Sequence, residues 1–166
     1  APDLTDPTSA IYFQARMVAA EQPFNLTLSM DPAISTLSVE LDANLDLKSA
    51  ASAYPLSQST IRDLGGSARI NIDAAAKLAP FSIESFEAVF LFDDLLAAGN
   101  GLSIKSPDDR PATITAAGTR SRFQVEGSDL QMEAPLRTSL DFDADITSEK
   151  NRLHWQGAIG LSLIHI

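Results

Sequence analysis

Thr36-Leu37-Ser38-Val39-Glu40-Leu41-Asp42-Ala43-Asn44-Leu45-Asp46-Leu47 alternates polar and apolar residues without an error. Successive side chains on an extended strand project to opposite faces of a sheet. A period of two therefore predicts a long strand with one apolar and one wet face. The pattern recurs on either side of this stretch. Phe24, Leu26, Leu28 and Met30 carry it toward the N-terminus, and Ile70, Ile72, Ala74, Ala76 and Leu78 carry it onward. Leu140, Phe142, Ala144 and Ile146 repeat it near the far end. Less regular strands are expected over residues 11–18, 83–92, 112–117, 122–126, 130–133 and 152–158. Val89 and Leu91 make the second face of the Phe86–Phe92 stretch apolar as well, which predicts cover on both sides.

Turn chemistry separates these runs at Asp31-Pro32, Gly65-Gly66, Gly99-Asn100-Gly101, Ser106-Pro107-Asp108-Asp109 and Ser148 to Asn151. Many strands joined by short breaks predict antiparallel pairing in a meander. The expected fold is mainly β and antiparallel, with one or two short helical inserts. Ser49 to Leu64 is the first insert: rich in Ala and Ser, it carries Leu56, Ile61 and Leu64 without alternation and is broken near Pro55. Asp93 to Ala98 is read as a second brief helical turn.

Apolar residues make up 45% of the 166, enough to line a core or a groove, which argues against disorder. Asp and Glu number 22 against 12 Lys and Arg, a net charge of -10 with no basic patch. Phosphate backbones would be repelled, which excludes nucleic-acid binding. The same charge opposes lying flat on an anionic leaflet. With no cysteine there is no disulfide, thiolate metal site or cysteine nucleophile. No apolar run reaches the roughly 18 residues of a membrane span, and no charged-then-apolar signal segment opens the chain. The first residue is Ala1 rather than Met, as expected for a start inside a longer reading frame or after a removed leader. Leu161-Ser162-Leu163-Ile164-His165-Ile166 is what the codons CTG TCT CTT ATA CAC ATC encode, a transposon-based sequencing adapter read as gene. Residues 161–166 are accordingly read as an artefact at the end of a metagenomic contig. Residues 1–160 are read as a fragment of a larger β-rich domain.

No catalytic constellation emerges, so we expect no enzyme, cofactor or metal site. With His165 set aside in the adapter-encoded segment, His154 beside Trp155 has no partner histidine or cysteine to build a zinc site, and no G-x-S-x-G turn is present for Ser-His-Asp chemistry. Asp141, Asp143 and Asp145 form a ladder on the wet face of a strand. Ile146 stands where a calcium loop would need glycine, so the ladder reads as solvated. Gly99-Asn100-Gly101 lacks the Lys and Ser/Thr of a phosphate cradle. What remains is the apolar face. A second sheet could cover it, giving a dry sandwich, or a hydrocarbon guest could, and alternation does not choose between them. An outer-membrane barrel would alternate too, but one Trp and two Tyr are too few for its aromatic girdles.

The long strand Thr36–Leu47, the Ala/Leu/Pro-bearing insert after it, and then Leu64-Gly-Gly-Ser-Ala-Arg-Ile-Asn-Ile-Asp73 occur in an order that resembles the periplasmic repeats of AsmA-like, TamB-like bridge-type lipid transport proteins, nearest the YdbH family. The likeness runs through residues 11 to 160 and lies in pattern and insert placement. It implies a long curled antiparallel sheet forming a groove in the periplasm of a Gram-negative cell, belonging to a parent anchored in the inner membrane. It also implies phospholipid acyl chains moving along the apolar face between inner and outer membranes, with the rest of the parent chain and other envelope proteins as partners. The lining it implies is Leu37, Val39, Leu41, Leu45, Ile70, Ile72, Phe86, Phe90, Phe123, Val125, Leu140, Phe142 and Trp155. Ala43, Ala74, Ala76 and Ala144 make parts of that face shallow. The alternative is a structural or adhesive β-sandwich module of the envelope without ligand.

Overall fold

The computed structural model describes residues 11–19, 22–53, 61–134, 138–149 and 152–163. Ten strands form a single sheet: β1 (Ile11–Ala19), β2 (Gln22–Asp31), β3 (Thr36–Asp46), β4 (Asp63–Leu78), β5 (Phe81–Gly99), β6 (Leu102–Lys105), β7 (Ala112–Gly118), β8 (Arg122–Ala134), β9 (Thr138–Glu149) and β10 (Arg152–Leu163). The helix α1 (Leu47–Ala53) follows β3. Every pairing is antiparallel, the strands follow chain order, and the sheet curls partway into a ring. β6 and β7 share one place in that order, lying end to end between β5 and β8.

The register converts alternation along each strand into apolar rows across the sheet. One row runs Leu26, Leu41, Ile72, Ala88, Ala116, Val125, Ala144 and Gly157, each opposite the next. A second runs Phe24, Ala43, Ile70, Phe90, Ile114, Gly127, Phe142 and Ile159. The intervening residues form mostly polar rows on the other face, interrupted by Val89, Leu91 and Ala117 on β5 and β7.

A crease crosses the sheet at one level. Gly66 (φ +93°) in β4 and Asp94 (φ +51°) in β5 lie at a bulge, and Asp129 (φ +58°) lies at a second bulge in β8. Between these, at the same level, the loop Ser106 to Pro111 separates β6 from β7. An extra residue shifts the phase of alternation. Leu95 therefore follows Phe92 onto the apolar face three positions later, and Leu130 follows Gly127 in the same way. Around the crease Leu47, Ala68, Leu95, Ala112 and Leu130 form a buried cluster, with Leu45, Leu64, Phe92, Leu140 and Phe142 packed against it.

The helix is anchored at its first residue. Asp46 Oδ1 accepts the Ser49 N–H at 2.7 Å as an N-cap, and Leu47 enters the cluster. The buried Gln22 amide bonds both backbone groups of Asp46: its Nε2 donates to the carbonyl at 2.8 Å and its Oε1 accepts the N–H.

The crease overturns several expectations. Gly65-Gly66 is a bulge inside β4 and not a turn, and Asp93 to Ala98 is part of β5 and not helical. The segments 122–126 and 130–133 are one strand, and Leu102–Lys105 is a short strand in its own right. The helical insert begins at Leu47, while Leu64 belongs to β4; Pro55 and Leu56 lie outside the described residues. So do Lys150 and Asn151 of the predicted last turn and the terminal Ile164 to Ile166. Val89 and Leu91 are half-buried among polar neighbours, and the elements packed on β5 are its ladder partners β4, β6 and β7.

A Cβ at Gly66 would lie 2.3 Å from the Asp94 carbonyl oxygen, in a backbone region that L-residues avoid, whereas one at Gly101 (φ +80°) would meet open space. Gly66→Ala should therefore cost about 2–4 kcal/mol of stability, and Gly101→Ala about 1 kcal/mol, read from urea unfolding midpoints. Equal losses at the two sites would show that the crease is not tightly held.

Candidate functional site

The surface to be explained is the apolar face. Leu37, Val39, Leu41, Ile70, Ile72, Phe86, Phe90, Phe123 and Val125 all lie on it, in adjoining rows, and all are half-buried. Phe86 and Phe123 come together across β7 because Gly118 stands between them; their ring centroids are 5.6 Å apart. Leu45, Leu140 and Phe142 share the face but pack against the buried cluster, so they close one end of the surface instead of lining its open part. The Phe142 ring lies over Gly127, where an added Cβ would come within 2.2 Å of it. Trp155 is opposite Ile146 in the register, and its side chain lies outside the described residues.

Nothing in the described chain forms a second layer over this face except α1 at one end. The strands pack on the strands they are hydrogen-bonded to, and no large side chain among the described residues falls below 2% exposure. The side chains with least access to water on the sheet are small: Ala68, Ala88 and Ala112 at 2%, 1% and 0%. The larger Leu, Ile and Phe side chains of this face stay half-exposed. Phe24, Leu26, Leu28 and Met30 lie on it too. Their alternation was visible in the sequence, and pairing that run with Leu37–Leu45 as a hairpin would have placed them there.

The polar face carries ordinary cross-strand ion pairs. Arg122 Nε donates to Asp145 Oδ1 at 3.0 Å, Arg110 Nε to Asp129 Oδ1 at 2.7 Å, and Lys105 Nζ lies 2.9 Å from Glu133. Of the Asp141, Asp143 and Asp145 ladder, Asp145 holds Arg122 and Asp141 accepts the Asp129 N–H at 3.1 Å. The hydrogen bond and charge of Arg122 hold the Asp145 carboxyl below its usual 3.8. Glu40, Asp73 and Glu87 line up in register on β3, β4 and β5 around a depression of about 540 Å³ that also reaches Ser85 and Gln124. No group of three or more His, Cys, Asp or Glu side chains among the described residues is placed to hold a metal ion. His154 is exposed on this face opposite Thr147. No helix among the described residues is long and apolar enough to cross a membrane.

Comparison with family models, with curated proteins and with solved structures gives no match.

A carboxyl whose pKa is lower in the folded than in the unfolded chain adds stability above about pH 3.8, and that stability is lost as the pH falls through the folded value. Asp145→Asn should therefore lower the Tm slightly at pH 7, as expected for an exposed pair. The gap from the parent should close near pH 2. A gap that persists in acid would mean that Asp145 acts through packing instead of charge.

Proposed function

We propose that this chain is a non-enzymatic segment of a bacterial envelope protein whose apolar trough holds phospholipid acyl chains in transit between the inner and outer membranes. The observation that carries the reading is the contiguous apolar face, built from paired rows and left, among the described residues, without a second layer apart from α1 at one end. Proteins rarely leave a large apolar patch open to water unless something binds there. The size also suits an acyl chain. From Leu37 to Leu45 the face runs about 27 Å at a rise of ~3.4 Å per residue, against about 15 Å for one leaflet of a ~30 Å hydrocarbon core.

Each CH₂ moved from water onto such a face gains up to about 0.8 kcal/mol. Successive rows offer similar surfaces, so displacement along the sheet costs little and transport needs no bond-making step. The resemblance to AsmA-like, YdbH-like repeats supports a periplasmic location and a larger parent as the partner. The alternative, a ligand-free structural or adhesive sandwich module, would need a second sheet facing the first, and the described strands form one sheet.

Native mass spectrometry of the chain purified from a bacterial envelope fraction, followed by lipid extraction, should find bound phospholipid. Leu41→Asp sets a charge between Leu26 and Ile72 in the middle of the trough and should remove most of that lipid while leaving the β circular dichroism intact. Recovery of the parent chain free of lipid would refute the reading.

A further inference from the structure

The two ends of the trough differ. At the α1 end the apolar rows run into the buried cluster, and Leu64, Ala97, Ile104 and Met132 continue the face beyond it. At the other end three hairpin tips are tied side by side: the Leu78 N–H donates to the Ser35 carbonyl at 2.8 Å, and the Arg120 N–H donates to the Ile83 carbonyl at 3.1 Å. Leu78 pairs with Phe81, and Ala76 with Ile83, in the register of the apolar face, so the lining continues to this mouth. There it emerges into solvent, with Ile34 61% exposed, Phe81 68% and Ile83 45%. Lys77 and Arg120 flank the same tips, both are exposed, and neither forms an ion pair among the described residues. The neighbouring acids are Glu84 and Asp31, and Asp31 is engaged by the Ala33 N–H at 2.9 Å.

We infer that this mouth docks on the surface of a bilayer containing anionic phospholipid, with Ile34 and Phe81 seated below the headgroups and Lys77 and Arg120 against the phosphates. Exposed apolar tips beside unpaired cations match both layers of such a surface. The chain's overall charge of -10 opposes lying flat on such a surface, whereas this contact is made end-on through the hairpin tips. Glu40, Asp73 and Glu87 stand back along the polar face, and physiological salt screens them over about 8 Å. Docking here would bring the open end of the lining to the hydrocarbon, so acyl chains could enter the trough without crossing water. The inference rests on the trough's taking acyl chains.

The test is flotation of the full chain with phosphatidylcholine vesicles, with and without one-quarter phosphatidylglycerol. The parent chain should float with the mixed vesicles and bind pure phosphatidylcholine more weakly. Ile34→Asp with Phe81→Asp, both at exposed positions, should lose at least tenfold in partitioning with unchanged circular dichroism. Lys77→Gln and Arg120→Gln should each lose about fivefold on mixed vesicles at physiological salt. A parent chain that fails to float, or tip variants that float equally well, would overturn the proposal. So would sedimentation showing that Phe81→Asp abolishes self-association, which would assign the mouth to a second copy. Lipid extraction of the same preparations separates the two readings. Bound lipid without flotation sinks the docking and leaves the trough; tip-dependent flotation without bound lipid supports the docking and removes the cargo.

Discussion

Register governs this molecule. A one-residue slip in any ladder would turn that strand's apolar set outward, because side chains alternate with a period of two. Here Leu26, Leu41, Ile72 and Ala88 fall opposite one another on four successive strands, and Val125 continues the row beyond β7. Continuity of the apolar face thus comes from many ladders agreeing, and no single contact enforces it. Burial is shared out in the same way: the walls are half-buried along their length, and the tightly packed atoms gather at the crease.

The long strands were legible because their alternation is uninterrupted. β3 and the outer part of β4 have no bulge from Leu37 to Leu45 or from Ala68 to Ala75, so the period-two pattern and the observed face coincide. Legibility failed where an extra residue changes the phase. In β5 the step from Phe92 to Leu95 breaks the count, and the Leu-Leu-Ala-Ala run after it resembles a helical turn. In β8 the same step from Gly127 to Leu130 split one strand into two. A glycine pair reads as a turn locally, and only the partner strand shows that Gly66 is a bulge against Asp94. The candidate lining shared one face for the reason it was chosen. Its closed end was not foreseeable, since Leu45, Leu140 and Phe142 meet α1 and the crease only through tertiary packing.

The polar face solves a different problem. It is acidic, and Glu40, Asp73 and Glu87 lie opposite one another, an arrangement that costs stability when like charges face each other directly. Water and salt weaken that repulsion on an open surface. On the same face the Arg122–Asp145 pair ties β8 to β9, and Arg110 in the loop before β7 pairs with Asp129. The helix-capping Asp46 is held below its ordinary pKa chiefly by the Ser49 backbone N–H, so this acid too serves the architecture.

The shared place of β6 and β7 leaves nine places in the strand order, an odd number. Direction reverses at each step across an antiparallel sheet, so β1 and β10 point the same way. The two margins therefore cannot zip to each other in the manner of an antiparallel barrel, however far the sheet curls. Among the described strands only a parallel seam, or an odd number of strands supplied from elsewhere, could seal the ring, and parity keeps it open.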